Sequence, residues 1–171
     1  MAMHLIIDGY NLIRQSPDLL AQEHQGLHLG REALLDKLTA YRRLKKHAIT
    51  VVFDGWEAGD SMANRDHFQG ILVIFSRRGE KADEVIKRLA DQEQHRALVV
   101  SSDREIMDYV EHRGATAMSA EEFNFRLELA VSGGDATEFE EDRPVRSTRK
   151  KGPAHRASKK NRRWRQRAKK I

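Results

Sequence analysis

The sequence contains no cysteine among its 171 residues. This absence excludes a disulfide framework, thiolate metal ligands and a cysteine nucleophile. No apolar run is long enough to cross a bilayer, and the apolar stretch at the N-terminus is too short for a signal peptide. These absences predict a soluble cytoplasmic protein with no membrane partner.

Several sequence signatures of catalysis are missing as well. The glycine-rich fingerprint of dinucleotide sites and the P-loop are both absent, so a nucleotide-cofactor enzyme has no sequence support. There is no Gly-x-Ser-x-Gly motif, which marks the nucleophilic serine of α/β-hydrolases. The eight histidines form no clear ligand set. His24 and His28 are four residues apart, but their Gln- and Gly-rich surroundings favour a solvated loop.

Charge is divided sharply along the chain. Residues 143–171 contain 14 lysines and arginines and no acidic residue. That leaves 17 of the 31 basic residues and all 26 acidic residues in positions 1–142, which gives a body of about −9 and a tail of about +14. The tail has too few apolar residues to order itself alone, and we expect it to be disordered.

Apolar, β-branched segments alternate with amphipathic helical segments. This alternation predicts an α/β domain with a central, mostly parallel sheet and helices on both faces. The expected domain covers residues 1–132, and an acidic linker followed by the basic tail covers 133–171. The predicted strands are 5–7, 49–53, 71–75, 97–100 and 115–118, and the predicted helices are 31–46, 82–94, 104–113 and 119–131.

Acidic residues stand where the predicted strands end. Asp8, Asp54 and Asp103 follow three of the strands, and Asp83 and Glu84 begin the helix after another strand. The carboxyl ends of parallel strands share one edge of a sheet, where α/β folds bind ligands. We therefore expect these acids to converge, although they are distant in sequence.

Crowded carboxylates repel one another unless a cation lies between them. Oxygen ligands without cysteine or histidine favour Mg²⁺ or Mn²⁺ over Zn²⁺. Such an ion can promote in-line displacement at phosphorus. Asn11 would orient a water or a phosphate oxygen at this site without adding charge.

Each acid also has a purely structural interpretation. Asp8 and Asp103 stand where a helix cap is favoured, and Ser102 with Glu105 is a candidate capping box. Asp54-Gly55 is typical of a simple turn, and Asp83 and Glu84 are ordinary first-turn acids. Their joint occurrence at successive strand ends nevertheless favours a metal or phosphate site.

Five short segments, taken in their order along the chain, resemble a known family. Residues 5–11 (LIIDGYN), 51–55 (VVFDG), 81–84 (KADE) and 101–104 (SSDR), followed by 118–123 (MSAEEF), resemble the YacP-like branch of the NYN domain. The resemblance covers residues 3 to about 131 and leaves the tail outside it.

The NYN domain is similar to PIN-domain nucleases, so the resemblance implies a three-layer PIN-like fold and hydrolysis of RNA with Mg²⁺ or Mn²⁺. It implies that some members of the branch cut messenger RNA in association with the ribosome. Carried over by position, it makes Asp8, Asp54, Asp83 and Asp103 the metal-site acids and Asn11 a catalytic polar residue, with Glu84 as a further metal ligand.

Basic residues form two candidate substrate-binding sets. In the tail, Arg162, Arg163 and Arg165 would neutralise phosphates, and Trp164 would stack on an unpaired base. The alternatives are a merely solubilising tail, or a tail that folds back on the acidic body. The second set lies in the loop before Asp83 and comprises Arg77, Arg78 and Lys81. These residues would bind the substrate backbone, or they would be ordinary exposed charges with no specific role.

Three functions compete on these observations. The favoured one is a metal-dependent endoribonuclease that leaves a 3′-hydroxyl and a 5′-phosphate, product ends implied by the PIN-like resemblance. The second is a non-catalytic RNA- or ribosome-binding factor in which the acids only cap helices. The third is a phosphatase or phosphoacceptor built on Asp8 or Asp54, which is disfavoured because its second acid and its lysine are missing.

Overall fold

The structure is a computed structural model, and it describes residues 2–55 and 65–133. Within these residues the chain forms six strands and six α-helices joined by short connections. The strands are β1 (His4–Asp8), β2 (Ala48–Phe53), β3 (Arg65–Phe68), β4 (Ile71–Phe75), β5 (Ala97–Val100) and β6 (Thr116–Met118). The helices are α1 (Gly9–Arg14), α2 (Pro17–Gln25), α3 (Leu27–Lys45), α4 (Ala82–Glu93), α5 (Arg104–His112) and α6 (Ala120–Val131), with a 3₁₀ turn at Gln94–Arg96.

The strands form one sheet in the order β3-β4-β2-β1-β5-β6. All neighbouring pairs are parallel except β3 with β4. From β1 the chain moves outward through β2 to β4, and then returns to the other side of β1 to form β5 and β6. The direction of winding therefore reverses between β1 and β5, which is the place where open α/β sheets form a ligand crevice.

Two apolar layers cover the sheet and confirm the predicted three-layer α/β architecture. Leu5 and Ile7 of β1 point into the layer that contains α1, α3 and α6. Ile6 points into the opposite layer, which contains α4 and α5. Alternate residues of one strand are thus buried on opposite faces, as expected for a parallel sheet covered on both sides. No helix of the described residues is long and apolar enough to cross a membrane.

The structure corrects two of the predicted local features. The loop expected around His24 and His28 is wrong, because the first residue ends α2 and the second begins α3, although both side chains are exposed. Pro17 at the first turn of α2 and buried Leu19 explain this helix, which is too polar to be found by periodicity. Strand β3 was also missed, because an exposed edge strand with the sequence RDHF has no apolar alternation.

Gly9 allows the close approach of α1 to the sheet. A Cβ atom at this position would lie 2.2 Å from Cε1 of the Phe53 ring. We expect Gly9→Ala to lower the free energy of unfolding by about 1–3 kcal/mol, because a buried aromatic ring would have to move. Urea denaturation measures this change. Phe53→Leu makes room for the new methyl, so the double variant should lose less stability than the sum of the two single variants; strict additivity would contradict the explanation.

Candidate active site at the carboxyl edge of the sheet

Asp8 is the last residue of β1 and lies beside the point where the winding reverses. Its Oδ1 atom accepts a hydrogen bond from the backbone N–H of Asn11 at 3.4 Å, and Oδ2 accepts one from Oγ of Ser101 at 3.3 Å. Burial raises the pKa of Asp8 to about 6, and the negative charge of Asp83 adds to the rise. The two hydrogen bonds and the positive charge of Arg14 oppose it.

The turn after β5 is tied to α1 by side-chain hydrogen bonds. Oδ1 of Asn11 accepts from the backbone N–H of Ser102 at 2.9 Å, and Oγ of Ser101 accepts from the backbone N–H of Asp103 at 3.2 Å. Asp103 itself caps α5, since its Oδ1 accepts from the backbone N–H of Glu105 at 2.8 Å. These contacts fix the ends of β1 and β5 relative to each other.

Asp83 connects α4 to the same region. This half-buried residue lies in the first turn of α4. Burial raises the pKa of Asp83, and the charge of Asp103 raises it further, while Lys87 and Lys81 oppose the rise. The charge of Asp83 therefore acts on Asp8, and that of Asp103 acts on Asp83, so Asp83 connects three acids that are distant in sequence at one edge. We call Asp8, Asp83 and Asp103 the acid cluster.

The other two acidic candidates are placed differently. Asp54 follows β2, the strand next to β1, and is half-buried at the same edge. The backbone N–H of Gly55 donates to Oγ of Ser76 at 2.9 Å and joins the ends of β2 and β4. Asp54 is not among the charges that mainly shift the pKa of Asp8 or Asp83. Glu84 points to solvent from the first turn of α4.

The acid cluster does not form a closed ligand cage. Within residues 2–55 and 65–133, no three histidine or acidic side chains approach closely enough to hold one metal ion together. Two members of the acid cluster also have a structural role, because Asp8 caps α1 and Asp103 caps α5. The capping interpretation of these two residues is therefore correct. The expected Ser102–Glu105 capping box is wrong, because Asp103 is the N-cap and Oγ of Ser102 instead accepts from the backbone N–H of Ala120 at 3.1 Å.

The predicted basic residues near the edge are exposed. Arg77 and Arg78 lie in the loop after β4, and Lys81 precedes α4 and acts electrostatically on Asp83. Glu80 organises this loop, since its carboxylate accepts from the backbone N–H of Arg77 at 3.3 Å and pairs with Arg88 at 2.7 Å. The tail candidates lie outside the described residues; they are Arg162, Arg163, Trp164 and Arg165.

Sequence reasoning gave no role to Ser101 and Arg14. Ser101 is fully buried and connects Asp8 with the backbone of Asp103. A serine at the carboxyl end of an apolar strand, directly before an acidic candidate, is the pattern that points to such a residue. Arg14 acts on Asp8 from the last turn of α1, and six residues of separation gave no helical pattern by which to find it.

Three comparisons with known proteins all give YacP-like proteins as similar to this chain. The YacP-like NYN domain model matches residues 5–169. Uncharacterized protein YacP of Bacillus subtilis (strain 168) is 30% identical over 86 residues, which span half of this chain and half of that relative. Two crystal structures of Rae1 (YacP) from Bacillus subtilis, one of them of a mutant, are 27% identical to this chain. The structure that is not of a mutant matches 78% of this chain and 77% of its own chain, with a TM-score of 0.66. The mutant covers 77% of this chain and 78% of its own, with a TM-score of 0.62.

The family match extends much further than the motifs. The resemblance was expected to end near residue 131, and this was wrong, because the match continues through the basic segment to residue 169. The motifs of the folded body combine acidic residues with apolar strands, whereas the basic segment has no apolar pattern from which a match could be predicted. The chain belongs to the YacP-like NYN domain family, within the PIN-like nuclease superfamily.

Proposed function

We propose that this protein is a metal-dependent endoribonuclease that hydrolyses RNA phosphodiester bonds. The observation that supports it most is that the charge of Asp83 raises the pKa of Asp8, and that of Asp103 the pKa of Asp83, at the edge where the winding reverses. Membership of a nuclease superfamily agrees with an RNA-related nuclease activity. The proposal adds to this the metal, the internal position of the cut and the residues involved.

The donor atoms of the site suit Mg²⁺ or Mn²⁺. All the acidic candidates offer carboxylate oxygen, and burial raises the pKa of Asp8 to about 6 although the charge of Arg14 opposes the rise. Mg²⁺ is usually held by one or two protein carboxylates together with waters and substrate phosphates, so a cage of three acids is not required. We propose that the ion binds at the acid cluster through one or two of Asp8, Asp83 and Asp103, with Asp54 and Glu84 as outer candidates. When bound, the ion would supply electrostatic stabilisation of the charge that develops on the phosphate.

The chain's own residues have separate tasks in this reaction. Asn11 and Ser101 hold the Asp8 carboxylate in one orientation. A carboxylate of the acid cluster that does not bind the ion directly can accept a proton from water. In our proposal a water attacks phosphorus and gives up a proton at the acid cluster. The bond between phosphorus and the 3′ oxygen then breaks and the 3′ oxygen takes up a proton from solvent, which leaves a 3′-hydroxyl and a 5′-phosphate.

The substrate is RNA, and the proposal places its backbone near Arg77, Arg78 and Lys81, which are exposed beside Asp83. The basic tail, with Arg162, Arg163, Trp164 and Arg165, would add affinity for RNA that depends strongly on salt. Ribosome-associated messenger RNA in the cytoplasm is the proposed setting.

The direct test compares RNA cleavage by the full chain with Mn²⁺, with Mg²⁺ and with a chelator. We expect cleavage with either ion and none with the chelator, and 5′-phosphate and 3′-hydroxyl ends on the products. Asp83→Asn should reduce cleavage, whereas Asp36→Asn, which removes an exposed acid on α3, should not. Equal cleavage by the wild type and Asp83→Asn would indicate a contaminating nuclease and defeat the proposal.

The capping hydrogen bonds support a second candidate, a non-catalytic RNA- or ribosome-binding factor. Asp8 and Asp103 are both engaged by backbone N–H groups, as a purely structural role requires. In that case RNA binding would be insensitive to the chelator and to Asp83→Asn and would be lost when residues 143–171 are deleted. No cleavage would be seen under any condition.

A further inference from the structure

Arg31 of α3 is a buried cation that the proposed reaction has not used. Its side chain belongs to the buried polar residues, with only 9% of its surface exposed. Nη1 donates a hydrogen bond to the hydroxyl oxygen of Tyr10 at 2.9 Å. The guanidinium carbon lies 5.7 Å from the ring centroid of Phe75, which is a cation–π distance.

The charge of Arg31 has no anionic partner within the part of the chain that the structure describes. Its contacts are a phenol and an aromatic face, and no carboxylate of residues 2–55 and 65–133 forms an ion pair with it. Burying a charge is costly unless it is paired. No nitrogen of its guanidinium is both fully sealed and without a hydrogen bond, so the nitrogens that do not contact Tyr10 keep some contact with solvent although the side chain as a whole is buried. The side chain is held in place at the end that contacts Tyr10 and Phe75.

Arg31 lies at the same edge of the sheet as the acid cluster. The last residue of α3 is Lys45, close to the start of β2, so α3 ends at the amino edge of the sheet and its first residues lie toward the carboxyl edge. Residue 31 is about 21 Å from that end of the helix, and β2 spans about 20 Å. Both contacts agree with this position, since Tyr10 follows Asp8 by two residues and Phe75 ends β4.

We propose that Arg31 is a positioning residue that binds a phosphate of the RNA strand on the α3 side of Asp8. This inference rests on the proposed function, because it takes RNA as the anion at this edge. A planar guanidinium is well suited to a phosphate, which it can bind through two parallel hydrogen bonds. The phosphate would supply the missing negative charge, and the stacking on Phe75 would fix the plane of the guanidinium before RNA arrives.

The test measures binding of a short single-stranded oligoribonucleotide to the full chain, in chelator and over a series of salt concentrations. Arg31→Met keeps an apolar chain over Phe75 and removes the charge. We expect it to weaken binding at least tenfold, since a hydrogen bond to a charged group is worth about 1.5–3 kcal/mol. The salt dependence of log K should fall by about 0.7, the contribution of one phosphate contact on a single strand.

Arg43→Met is the matched control. It removes the same charge from the same helix at an exposed position, where Arg43 contacts Gln69. The basic tail is present in all variants and contributes equally to each. Arg43→Met should leave affinity and salt dependence unchanged, and Arg31→Lys should restore the salt dependence. Equal binding by folded Arg31→Met and Arg43→Met would overturn the inference.

Two further results keep this test separate from the nuclease proposal. If Arg31→Met does not fold, the Nε resonance of Arg31 in the wild-type protein decides: a shift on adding the oligoribonucleotide supports the inference, and no shift overturns it. Because binding is measured without metal, a wild type that binds through Arg31 but cuts nothing defeats the nuclease proposal alone. An active wild type whose binding ignores Arg31 defeats this inference alone.

Discussion

Replacing Asp8 with asparagine is expected to lower kcat/KM for Mn²⁺-supported RNA cleavage by about 10²- to 10³-fold, the range seen when one preorganised electrostatic contact is removed. The substitution keeps an oxygen for the backbone N–H of Asn11, so the cap of α1 survives. It removes the negative charge and the proton acceptor of the proposed reaction. Initial rates on a single-stranded RNA substrate measure the effect.

The control for this experiment is Asp108→Asn. Asp108 is an exposed acid of α5 that lies outside the acid cluster, so its loss should leave kcat/KM unchanged. Circular dichroism and urea denaturation should show that Asp8→Asn is folded. A folded Asp8→Asn variant that cuts RNA as fast as the control would rule out a role for this carboxylate in the reaction.

The contribution of Asp8 to the stability of the metal-free protein should fall as pH rises from about 4 to about 7. The pKa of Asp8 is about 6 in the folded protein, above the 3.8 of an unperturbed aspartate. The folded state therefore holds the proton more tightly than the unfolded state. The stabilisation from protonated Asp8 is complete below the unfolded pKa and is lost as pH rises through the folded pKa. The difference corresponds to about 3 kcal/mol, and the raised pKa of Asp83 acts in the same direction.

Urea denaturation at several pH values, in chelator, tests this expectation. Other groups titrate over the same range, so the informative quantity is the difference between the wild type and Asp8→Asn. The asparagine variant has no titratable group at this position and should become the more stable of the two near pH 7. Parallel stability curves for the two proteins would show that the Asp8 carboxyl is not perturbed by burial.

The main features of the fold could be predicted from the sequence because buried parallel strands are almost wholly apolar. Segments such as ALVV at residues 97–100 and ILVIF at 71–75 have few alternatives to a covered strand. Features fixed by tertiary contacts could not be predicted in this way. Strand β3 depends on pairing with β4, and Leu44 fits the apolar spacing of α3 yet is 60% exposed.

The candidate site shows the same division. Acids at strand ends could be identified because topology alone brings the carboxyl ends of parallel strands to one edge. The interactions that distinguish Asp8, Asp83 and Asp103 from Asp54 and Glu84 required the structure, since they depend on which helix begins beside which strand. Arg31 could have been found, because it lies three residues before Leu34 and seven before Leu38, on the apolar face of α3. A charge at such a position is a reason to look for its partner.

The two helical layers divide the acid cluster between them. Asp8 leads into α1 on one face of the sheet, while Asp83 and Asp103 begin α4 and α5 on the other. The strands between the two layers therefore set the distances between these carboxylates. If one helical layer shifted relative to the other, the distances from Asp8 to Asp83 and Asp103 would change. Core residues such as Ile6 and Val99, which are fully buried and cannot reach a ligand, would in this way affect the proposed reaction.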